Sequence, residues 1–292
     1  MTPLLLGLPG NEIMLQRLSA ETGWQCDQVD VHAFPDGESL PTLPTNLFAR
    51  DVLLVCSLNH PDARLLPLLF SAHAARQQGA RKVGLVAPYL CYMRQDTQFH
   101  AGEAITSRAF AGIISQHLDC LFTIDPHLHR YRSLAEIYSI PAVALHAGPA
   151  IAAWITRCVK SPFVIGPDQE SSQWVSQVAA ACGADFTVMR KQRKGDTAVI
   201  ESAVNLPEDV TPVVLDDIVS SGTTTLATLA QLPHTARERA LVIAVHGLLN
   251  QKNAETIRAN CARLVTTDTV PGPCAEIDVA PILAQRLLEY FP

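Results

Sequence analysis

Apolar segments of strand length alternate with helical segments early in the chain, and this alternation restricts the possible folds more than any other feature. Asp51–Ser57 is largely apolar, Ala63–Gln78 has the pattern of a helix, and Lys82–Pro88 is a second apolar segment. Strands that are apolar on both faces are typical of parallel sheets, because the connecting helices cover both faces of the sheet. The sequence therefore predicts an α/β fold built on a mainly parallel sheet.

The second half of the chain repeats the pattern of the first. Residues 162–175 and 213–224 each give a strand, a polar loop and a helix, as residues 51–66 do. A length of 292 residues, of which 48% are hydrophobic, is sufficient for about two domains with buried cores. We predict two similar α/β domains, residues 1–146 and 147–292, each a mainly parallel sheet with helices on both faces.

The composition of the whole chain excludes several classes of protein. A formal net charge of −6 argues against a nucleic-acid or membrane-surface binder, since such binders need concentrated Lys and Arg. No segment approaches the roughly 18 uncharged apolar residues of a membrane helix, and the short apolar N-terminal segment lacks a basic flank. The eight cysteines show neither a CxxC pair nor a zinc-ligand spacing. We expect a cytoplasmic protein with reduced cysteines and with no nucleic-acid or membrane partner.

A phosphate-binding pattern lies in Val213–Leu226 (VVLDDIVSSGTTTL). Val213–Leu215 reads as the end of a buried strand, Asp216 and Asp217 follow, and a Ser/Gly/Thr segment then opens a helix. Hydroxyl groups, backbone N–H groups and the positive end of the helix dipole converge on this turn, which suits a phosphate. Paired carboxylates suit the hydroxyls of a ribose and would repel the phosphate. The sequence therefore predicts a ribose 5-phosphate site, although a strand–turn–helix with a serine N-cap has the same pattern.

Polar side chains also follow three other predicted strands, at the edge where ligands of open α/β sheets bind. The segment Tyr89–Glu103 places Arg94 and Gln95 after one strand, whereas His127 and Asp168 each lie just beyond another. The sequence leaves two interpretations open: contacts to a metal or phosphate, or structural roles such as helix capping.

Two further segments have more than one interpretation. Val31–Glu38 (VHAFPDGE) is an extended segment broken by Pro35 and Gly37, and a polar turn is its simplest interpretation. Arg190–Asp196 (RKQRKGD) concentrates four positive charges in an otherwise acidic protein. It is either a solvated charged segment or an arm that closes over a polyphosphate.

Several of these stretches resemble one family, the ribose-phosphate diphosphokinases, and the resemblance covers nearly the full chain. The segment at 213–226 is similar to the phosphoribosyl-diphosphate loop of the type I phosphoribosyltransferases, in which two hydrophobic residues and two acids precede a Thr/Ser-Gly turn. The other matching stretches are FPDGE at 34–38, APYLCYMRQD at 87–96, DPH at 125–127, GPD at 166–168 and KQR at 191–193. Their order and spacing along the chain make the resemblance specific.

This resemblance implies two phosphoribosyltransferase-like domains and a ribose-phosphate diphosphokinase. Such an enzyme transfers the β,γ-diphosphoryl group of ATP to the C1 hydroxyl of ribose 5-phosphate, giving 5-phosphoribosyl 1-diphosphate and AMP. Mg²⁺ is the implied metal and ATP the implied co-substrate. A homo-oligomer, a dimer or a hexamer, is also implied, with the hairpin at 34–38 reaching the ATP site of a neighbouring subunit.

The resemblance also assigns roles to individual residues. It implies that Lys191 and Arg193 form a catalytic cation clamp and that His127 and Asp168 are metal ligands. The implied ATP contacts are Phe34, Asp36, Glu38, Arg94, Gln95, Asp96 and His127. The implied ribose 5-phosphate contacts are Asp168, Asp216, Asp217, Ser220, Ser221, Gly222, Thr223 and Thr224. Two alternatives stay open: a nucleobase phosphoribosyltransferase, which uses the same loop, and a non-catalytic regulatory homologue, which binds the same ligands.

Overall fold

The computed structural model describes residues 2–169, 171–189, 191–194, 197–200 and 206–292, and within 191–200 it describes the backbone alone. The chain divides into two compact units, one formed by Met1–His146 together with Ala280–Pro292 and the other by Ala147–Val279. Among the described residues, no helix combines the length and the apolar character that crossing a membrane requires.

The first unit contains eight strands, four α-helices and one short 3-10 helix (Leu134–Glu136) among the described residues. They are β1 (Leu4–Gly7), α1 (Glu12–Thr22), β2 (Cys26–Gln28), β3 (Asp30–Ala33), β4 (Ser39–Thr42), β5 (Asp51–Val55), α2 (Pro61–Gln77), β6 (Lys82–Ala87), α3 (Thr106–His117), β7 (Cys120–Ile124) and β8 (Ala142–Leu145). The fourth helix comes from the C-terminal end of the chain and is described below.

The second unit follows directly in the chain. Its described elements are α4 (Gly148–Cys158), β9 (Pro162–Gly166), α5 (Ser172–Cys182), β10 (Asp185–Val188), β11 (Lys191–Lys194), β12 (Thr197–Ile200), β13 (Thr211–Val219), α6 (Thr223–Ala230), α7 (His234–Arg237), β14 (Leu241–Gly247), α8 (Gln251–Arg258), β15 (Arg263–Thr267) and β16 (Ala275–Ile277). The final helix, α9 (Ala280–Tyr290), returns to the first unit.

The two units share one topology. The sheet of the first has the order β2-β1-β5-β6-β7-β8 and that of the second the order β10-β9-β13-β14-β15-β16, with parallel pairing throughout. In each unit an antiparallel hairpin, β3–β4 or β11–β12, is inserted at the same place in the strand order. These observations confirm the prediction of two similar units, each built on a mainly parallel sheet.

Burial explains why the apolar segments form the central strands. Strand β5 is buried along its whole length, and its neighbour β6 is buried from Val83 onward. Leu53 and Val214, in corresponding central strands of the two sheets, are both completely buried. Each such side chain contributes about 1.5–3 kcal/mol relative to an exposed one, so these strands hold the sheets together.

Each sheet has one point at which the strand order reverses. In the second unit the chain passes from β9 to β10 on one side of β9 and then returns to β13 on the other side. Ligands of doubly wound sheets bind in the crevice outside the carboxyl ends of the strands at such a point. The crevice of the second unit therefore lies between the ends of β9 and β13.

The C-terminal helix corrects the predicted extent of the second domain. Residues 147–292 were predicted to form one domain, but Ala280–Pro292 belongs to the first unit. The reason is packing: the rings of Phe122 and Tyr290 meet edge to face at 5.2 Å, and those of Trp24 and Phe291 at 6.1 Å. The apolar face of α9 is typical of an amphipathic helix but does not indicate which sheet covers it.

Candidate functional site

The acid pair of the second unit lies within a strand and not beyond its end. The sequence predicted that the strand ends before Asp216, and this was wrong, because β14 pairs with β13 as far as Val219. The other neighbour, β9, pairs with β13 only as far as Val214. Asp216 and Asp217 therefore occupy the part of β13 that has separated from β9, at the edge of the crevice between the two strands.

Three carboxylates of this crevice influence one another. Asp216 is partly buried and accepts a hydrogen bond from the N–H of Asp217 at 3.0 Å. Burial raises the pKa of Asp216 to about 8, and the charges of Asp217 and then Asp168 add to the shift. Burial and the neighbouring negative charges therefore favour the protonated form of Asp216 in the ligand-free protein. A pair of carboxyl groups that shares a proton can both donate and accept hydrogen bonds, which suits a pair of sugar hydroxyls.

A tight turn connects the acid pair to helix α6. Gly222 has a φ of 79°, a left-handed conformation that glycine adopts without strain. A Cβ atom at Gly222 would lie 2.8 Å from Cδ1 of Ile257, so the turn packs directly on α8. The side-chain amide of Asn253, also on α8, donates to the carbonyl of Ser220 at 3.1 Å. These two contacts with α8 thus hold the turn in place.

The same turn presents hydrogen-bonding groups at the start of α6. The hydroxyls of Ser221 and Thr223 lie 3.1 Å apart, and the helix begins at Thr223. The first N–H groups of a helix lack intrahelical acceptors and carry the positive end of the helix dipole. All five predicted loop residues, Ser220, Ser221, Gly222, Thr223 and Thr224, therefore lie together in a geometry that suits a phosphate.

The hairpin of the first unit presents the predicted segment Phe34–Glu38 at its tip. The N–H of Phe34 donates to the carbonyl of Glu38 at 2.8 Å, and Gly37 has a φ of 95°. Phe34, Asp36 and Glu38 are all exposed. The ring of His32 meets that of Phe34 edge to face at 4.5 Å. An exposed aromatic ring beside two exposed carboxylates is suited to contacts with a ligand or another chain.

The segment after β6 separates into exposed and buried residues. Arg94 and Gln95 are exposed, whereas the side chain of Asp96 is 2% exposed and accepts a hydrogen bond from Arg130 at 2.6 Å. The hydroxyl of Tyr131 donates to the carbonyl of Asp96 at 3.4 Å. Burial and pairing suit Asp96 to a positioning role, and its predicted contact with ATP stays a prediction. Arg130 and Tyr131 were not among the predicted site residues, since no local pattern shows which acid a strand-end arginine will meet.

Two histidines lie together beyond β7. The ring centroids of His127 and His129 are 3.8 Å apart. Asp125, at the end of the strand, has a φ of 34°, and its carboxylate lies 2.8 Å from Nδ1 of His146. This hydrogen bond raises the pKa of His146, because the carboxylate favours the protonated imidazole. His146 was also missed by the sequence analysis, which treated it as part of a domain junction.

The remaining predicted residues divide between the second unit and an undescribed part of the chain. Asp168, two residues past β9, accepts a hydrogen bond from the N–H of Ser171 at 3.2 Å and lies near enough to Asp216 to affect its pKa. Lys191 and Arg193 belong to β11, which pairs with β12, but their side chains lie outside the described residues. The predicted cation clamp therefore stays a prediction.

Two family models match this chain. One, described as the N-terminal domain of ribose phosphate pyrophosphokinase, matches residues 4–117. The other, described as a phosphoribosyl transferase domain, matches residues 133–273 and includes the whole acid pair and turn. They confirm the predicted phosphoribosyltransferase-like fold of both units.

Curated relatives match the chain over nearly its full length. A ribose-phosphate pyrophosphokinase of Methanopyrus kandleri is 30% identical over 93% of this chain and 94% of its own. One from Halobacterium salinarum is 30% identical over 97% of this chain and 100% of its own. The crystal structure of phosphoribosylpyrophosphate synthetase from Mycobacterium smegmatis superposes with a TM-score of 0.83 at 18% identity and covers 99% of each chain, a similarity of fold.

Proposed function

Since the chain belongs to the ribose-phosphate pyrophosphokinase family and is an enzyme of that kind, we propose the reaction implied by its residues. It transfers the β,γ-diphosphoryl group of ATP to the C1 hydroxyl of ribose 5-phosphate in a Mg²⁺-dependent reaction, giving 5-phosphoribosyl 1-diphosphate and AMP. The observation that carries the proposal is the crevice of the second unit. An acid pair is followed there by a left-handed glycine and a helix N-terminus, which matches the polarity of a sugar phosphate.

Within this proposal the crevice binds ribose 5-phosphate. Ser220–Thr224 bind its 5-phosphate, and Asp216 and Asp217 accept and donate hydrogen bonds to its ring hydroxyls. Asp168 lies on the opposite side of the crevice, after β9. In the first unit, the exposed side chains of Arg94 and Gln95 and the half-buried His127 bind ATP, and a neighbouring subunit contributes Phe34, Asp36 and Glu38 from its hairpin.

The transfer needs little covalent chemistry from the protein. The C1 hydroxyl oxygen forms a bond to the β-phosphorus of ATP, the bond from that phosphorus to the bridging oxygen of AMP breaks, and the hydroxyl proton is released. Negative charge grows on the transferring group and on the leaving AMP, so in-line positioning and cations lower the barrier. Lys191 and Arg193 provide these cations, Arg as a planar fork and Lys as a point charge.

A metal fits the donor groups that the chain offers. Mg²⁺ prefers carboxylate oxygens and water, which suits Asp168 and the acid pair. An imidazole is a softer ligand that suits Mg²⁺ less well, so His127 would contribute through a metal-bound water. Bound to ATP, the cation neutralises part of the developing charge on the phosphate oxygens.

The proposal extends to the setting of the enzyme. We propose a cytoplasmic homo-oligomer, a dimer or a hexamer, with ATP and ribose 5-phosphate as its partners and with no nucleic-acid or membrane partner. The exposed ring of Phe34 at the hairpin tip, 39% accessible in the isolated chain, supports contact with a second copy. Sedimentation of the purified protein measures the oligomer directly, and a strict monomer would contradict this part.

A phosphorus NMR time course tests the reaction. Purified protein is mixed with ATP, Mg²⁺ and ribose 5-phosphate, and we expect equal amounts of AMP and a sugar-linked diphosphate. Stoichiometric ADP would mean transfer of a single phosphoryl group and would overturn the mechanism. Absence of turnover by folded protein would favour a non-catalytic regulatory homologue. Turnover of phosphoribosyl diphosphate with a nucleobase would favour a phosphoribosyltransferase, although the relatives that match nearly the full chain are named ribose-phosphate pyrophosphokinases.

Replacement of Gly222 by alanine is expected to weaken ribose 5-phosphate binding. The left-handed φ of 79° costs a residue with a Cβ atom about 1–2 kcal/mol. The new methyl group would also lie 2.8 Å from Cδ1 of Ile257, so the turn must move. We expect KM for ribose 5-phosphate to rise about tenfold, since small displacements at a site are costly.

Gly183 provides a matched control for this change. It has a φ of 68° at the C-terminal end of α5, and a Cβ atom there would contact nothing within 4 Å. Gly183→Ala therefore introduces similar backbone strain without moving the turn, and KM should stay near the wild-type value. Equal KM values for the two variants would contradict the role of the turn.

Replacement of Arg130 by alanine is expected to raise KM for ATP about tenfold, with a smaller effect on kcat. The change leaves the buried carboxylate of Asp96 without its ion pair, which costs about 1–3 kcal/mol of folding stability. The segment that carries Arg94 and Gln95 then loses the ion pair that fixes its position.

Two variants separate the positioning role of Arg130 from a general loss of folding stability. Arg132→Ala removes an exposed arginine two residues further along the chain and should leave KM for ATP unchanged. The double variant Asp96→Asn with Arg130→Ala removes the uncompensated charge, so its stability should partly recover while KM stays high. If Arg130→Ala alone keeps wild-type KM in thermally stable protein, the positioning role is wrong.

A further inference from the structure

We propose that the second unit carries a second ligand site, a cleft on the far side of α8 that binds a small organic anion and acts on the phosphate-binding turn. The cleft has a volume of about 490 Å³, within the range of small-molecule pockets. It lies between α8, the end of β14 and the loop from Val270 to Cys274. None of the residues predicted to contact ribose 5-phosphate or ATP lines it.

The lining of the cleft indicates the chemical class of its ligand. Leu249, Ala254, Val270 and the two loop prolines form an apolar wall. Arg258 supplies a positive charge at one end of α8. A ligand with an apolar ring or chain and one anionic group, a carboxylate, sulfonate or phosphate ester, matches this combination of surfaces.

Arg258 keeps hydrogen-bonding capacity for such an anion. Its Nη2 donates to Sγ of Cys274 at 3.2 Å, and sulfur is a weak acceptor. Among the described residues, no carboxylate forms an ion pair with Arg258. The acid on the same helix face, Glu255, instead accepts a hydrogen bond from the side chain of Gln251 at 2.8 Å. A guanidinium offers five donors, so most of them stay available to a ligand.

Helix α8 links the cleft to the turn because its two faces contact different features. Gln251, Ala254, Glu255 and Arg258 follow the i, i+3, i+4, i+7 spacing of one helix face, and all four line the cleft. The opposite side carries Asn253, which donates to the carbonyl of Ser220, and Ile257, which packs against Gly222. A ligand that shifts or restrains α8 therefore changes the support of the turn.

A fluorescence titration with 8-anilinonaphthalene-1-sulfonate tests the site, because this probe joins a sulfonate to apolar rings. We expect one probe to bind each wild-type chain, and Arg258→Gln to weaken this binding about tenfold. Arg258→Lys keeps the charge without the planar fork and should give an intermediate affinity. Arg157→Gln, which removes another exposed arginine from the last turn of a helix in the same unit, should bind as wild type.

The coupling to the turn has its own measurement, which does not depend on the proposed reaction. The δ1 methyl group of Ile257 is fully buried under the turn and does not line the cleft, so its NMR signal should shift as the probe saturates. Equal affinity of the probe for wild type and Arg258→Gln would overturn the site. Binding that depends on Arg258 but leaves the Ile257 methyl signal unmoved would overturn the coupling.

Discussion

Asp216→Asn is expected to make the protein more stable at alkaline pH while removing most of its activity. The pKa of Asp216 is about 8 in the folded protein, because the carboxyl is buried and lies beside Asp217 and Asp168. In the unfolded chain the same group titrates near its ordinary value of 3.8. Between these two values the folded state binds more protons than the unfolded state, so its stability falls as pH rises.

Asparagine resembles the protonated carboxyl and cannot ionise. The variant and the wild type should therefore have similar stability at pH values well below 3.8, where the aspartic acid is protonated in both states. Above pH 8 Asp216 is ionised in the folded state as well, and the wild type has lost the stability that the bound proton contributed. We expect the free energy of unfolding of the variant to be higher there by about 1–3 kcal/mol. Urea unfolding at several pH values measures the difference directly.

Activity should change in the opposite direction. An asparagine cannot lose a proton when a cation or a sugar hydroxyl binds, and it accepts fewer hydrogen bonds from the ribose hydroxyls than a carboxylate does, so kcat/KM for ribose 5-phosphate should fall about 100-fold. Asp209→Asn, which alters an exposed acid shortly before β13, is the control and should change neither property. If Asp216→Asn is less stable than the wild type at every pH, the ionised carboxylate of Asp216 does not destabilise the folded protein.

A gain in stability together with a loss of activity would show that the acid pair serves binding and not folding. Two adjacent carboxylates in a partly buried strand reduce folding stability, and a sugar hydroxyl or a cation recovers part of that loss on binding. Under the proposed function, the protein retains this unfavourable pair because ribose 5-phosphate and a cation are complementary to it.

The sequence predicted those features of the site that depend on neighbouring residues. The turn at 220–224 was found because hydroxyls and a glycine follow an acid pair within a few positions, and the strands were found from their apolar composition. These patterns are local, and the structure places them as expected. The same reasoning failed at the end of β13, because β14 continues to supply hydrogen bonds to a strand whose own residues have become polar.

Features that depend on distant partners were not predicted. Asp96 and Arg130 are separated by 34 positions, and nothing in either segment indicates that their side chains meet. The apolar face of α9 fits either sheet, and only its packing on Phe122 and Trp24 places it in the first unit. Local periodicity determines the existence of an element, whereas long-range complementarity determines what it contacts.

Lys191→Ala should reduce kcat by about 100- to 1,000-fold while changing KM for ATP only a few-fold. The expected size is that of removing one preorganised charge from a site where negative charge develops in the transition state. A clamp of this kind interacts with the transferring group more strongly as the reaction proceeds, so its loss affects turnover more than binding. Steady-state kinetics with varied ATP and ribose 5-phosphate separate the two parameters.

The same strand offers the control for this prediction. Lys194 is a second lysine of β11, and it lies outside the Lys-Gln-Arg stretch that resembles the family. Lys194→Ala removes the same charge from the same strand and should retain most of the wild-type kcat. Arg193→Lys keeps its charge and loses only the planar fork, so a large loss of kcat there would show that bidentate contact is needed. If Lys191→Ala instead keeps its turnover and loses affinity, the positive charge acts on bound ATP before the transition state, and the clamp role is wrong.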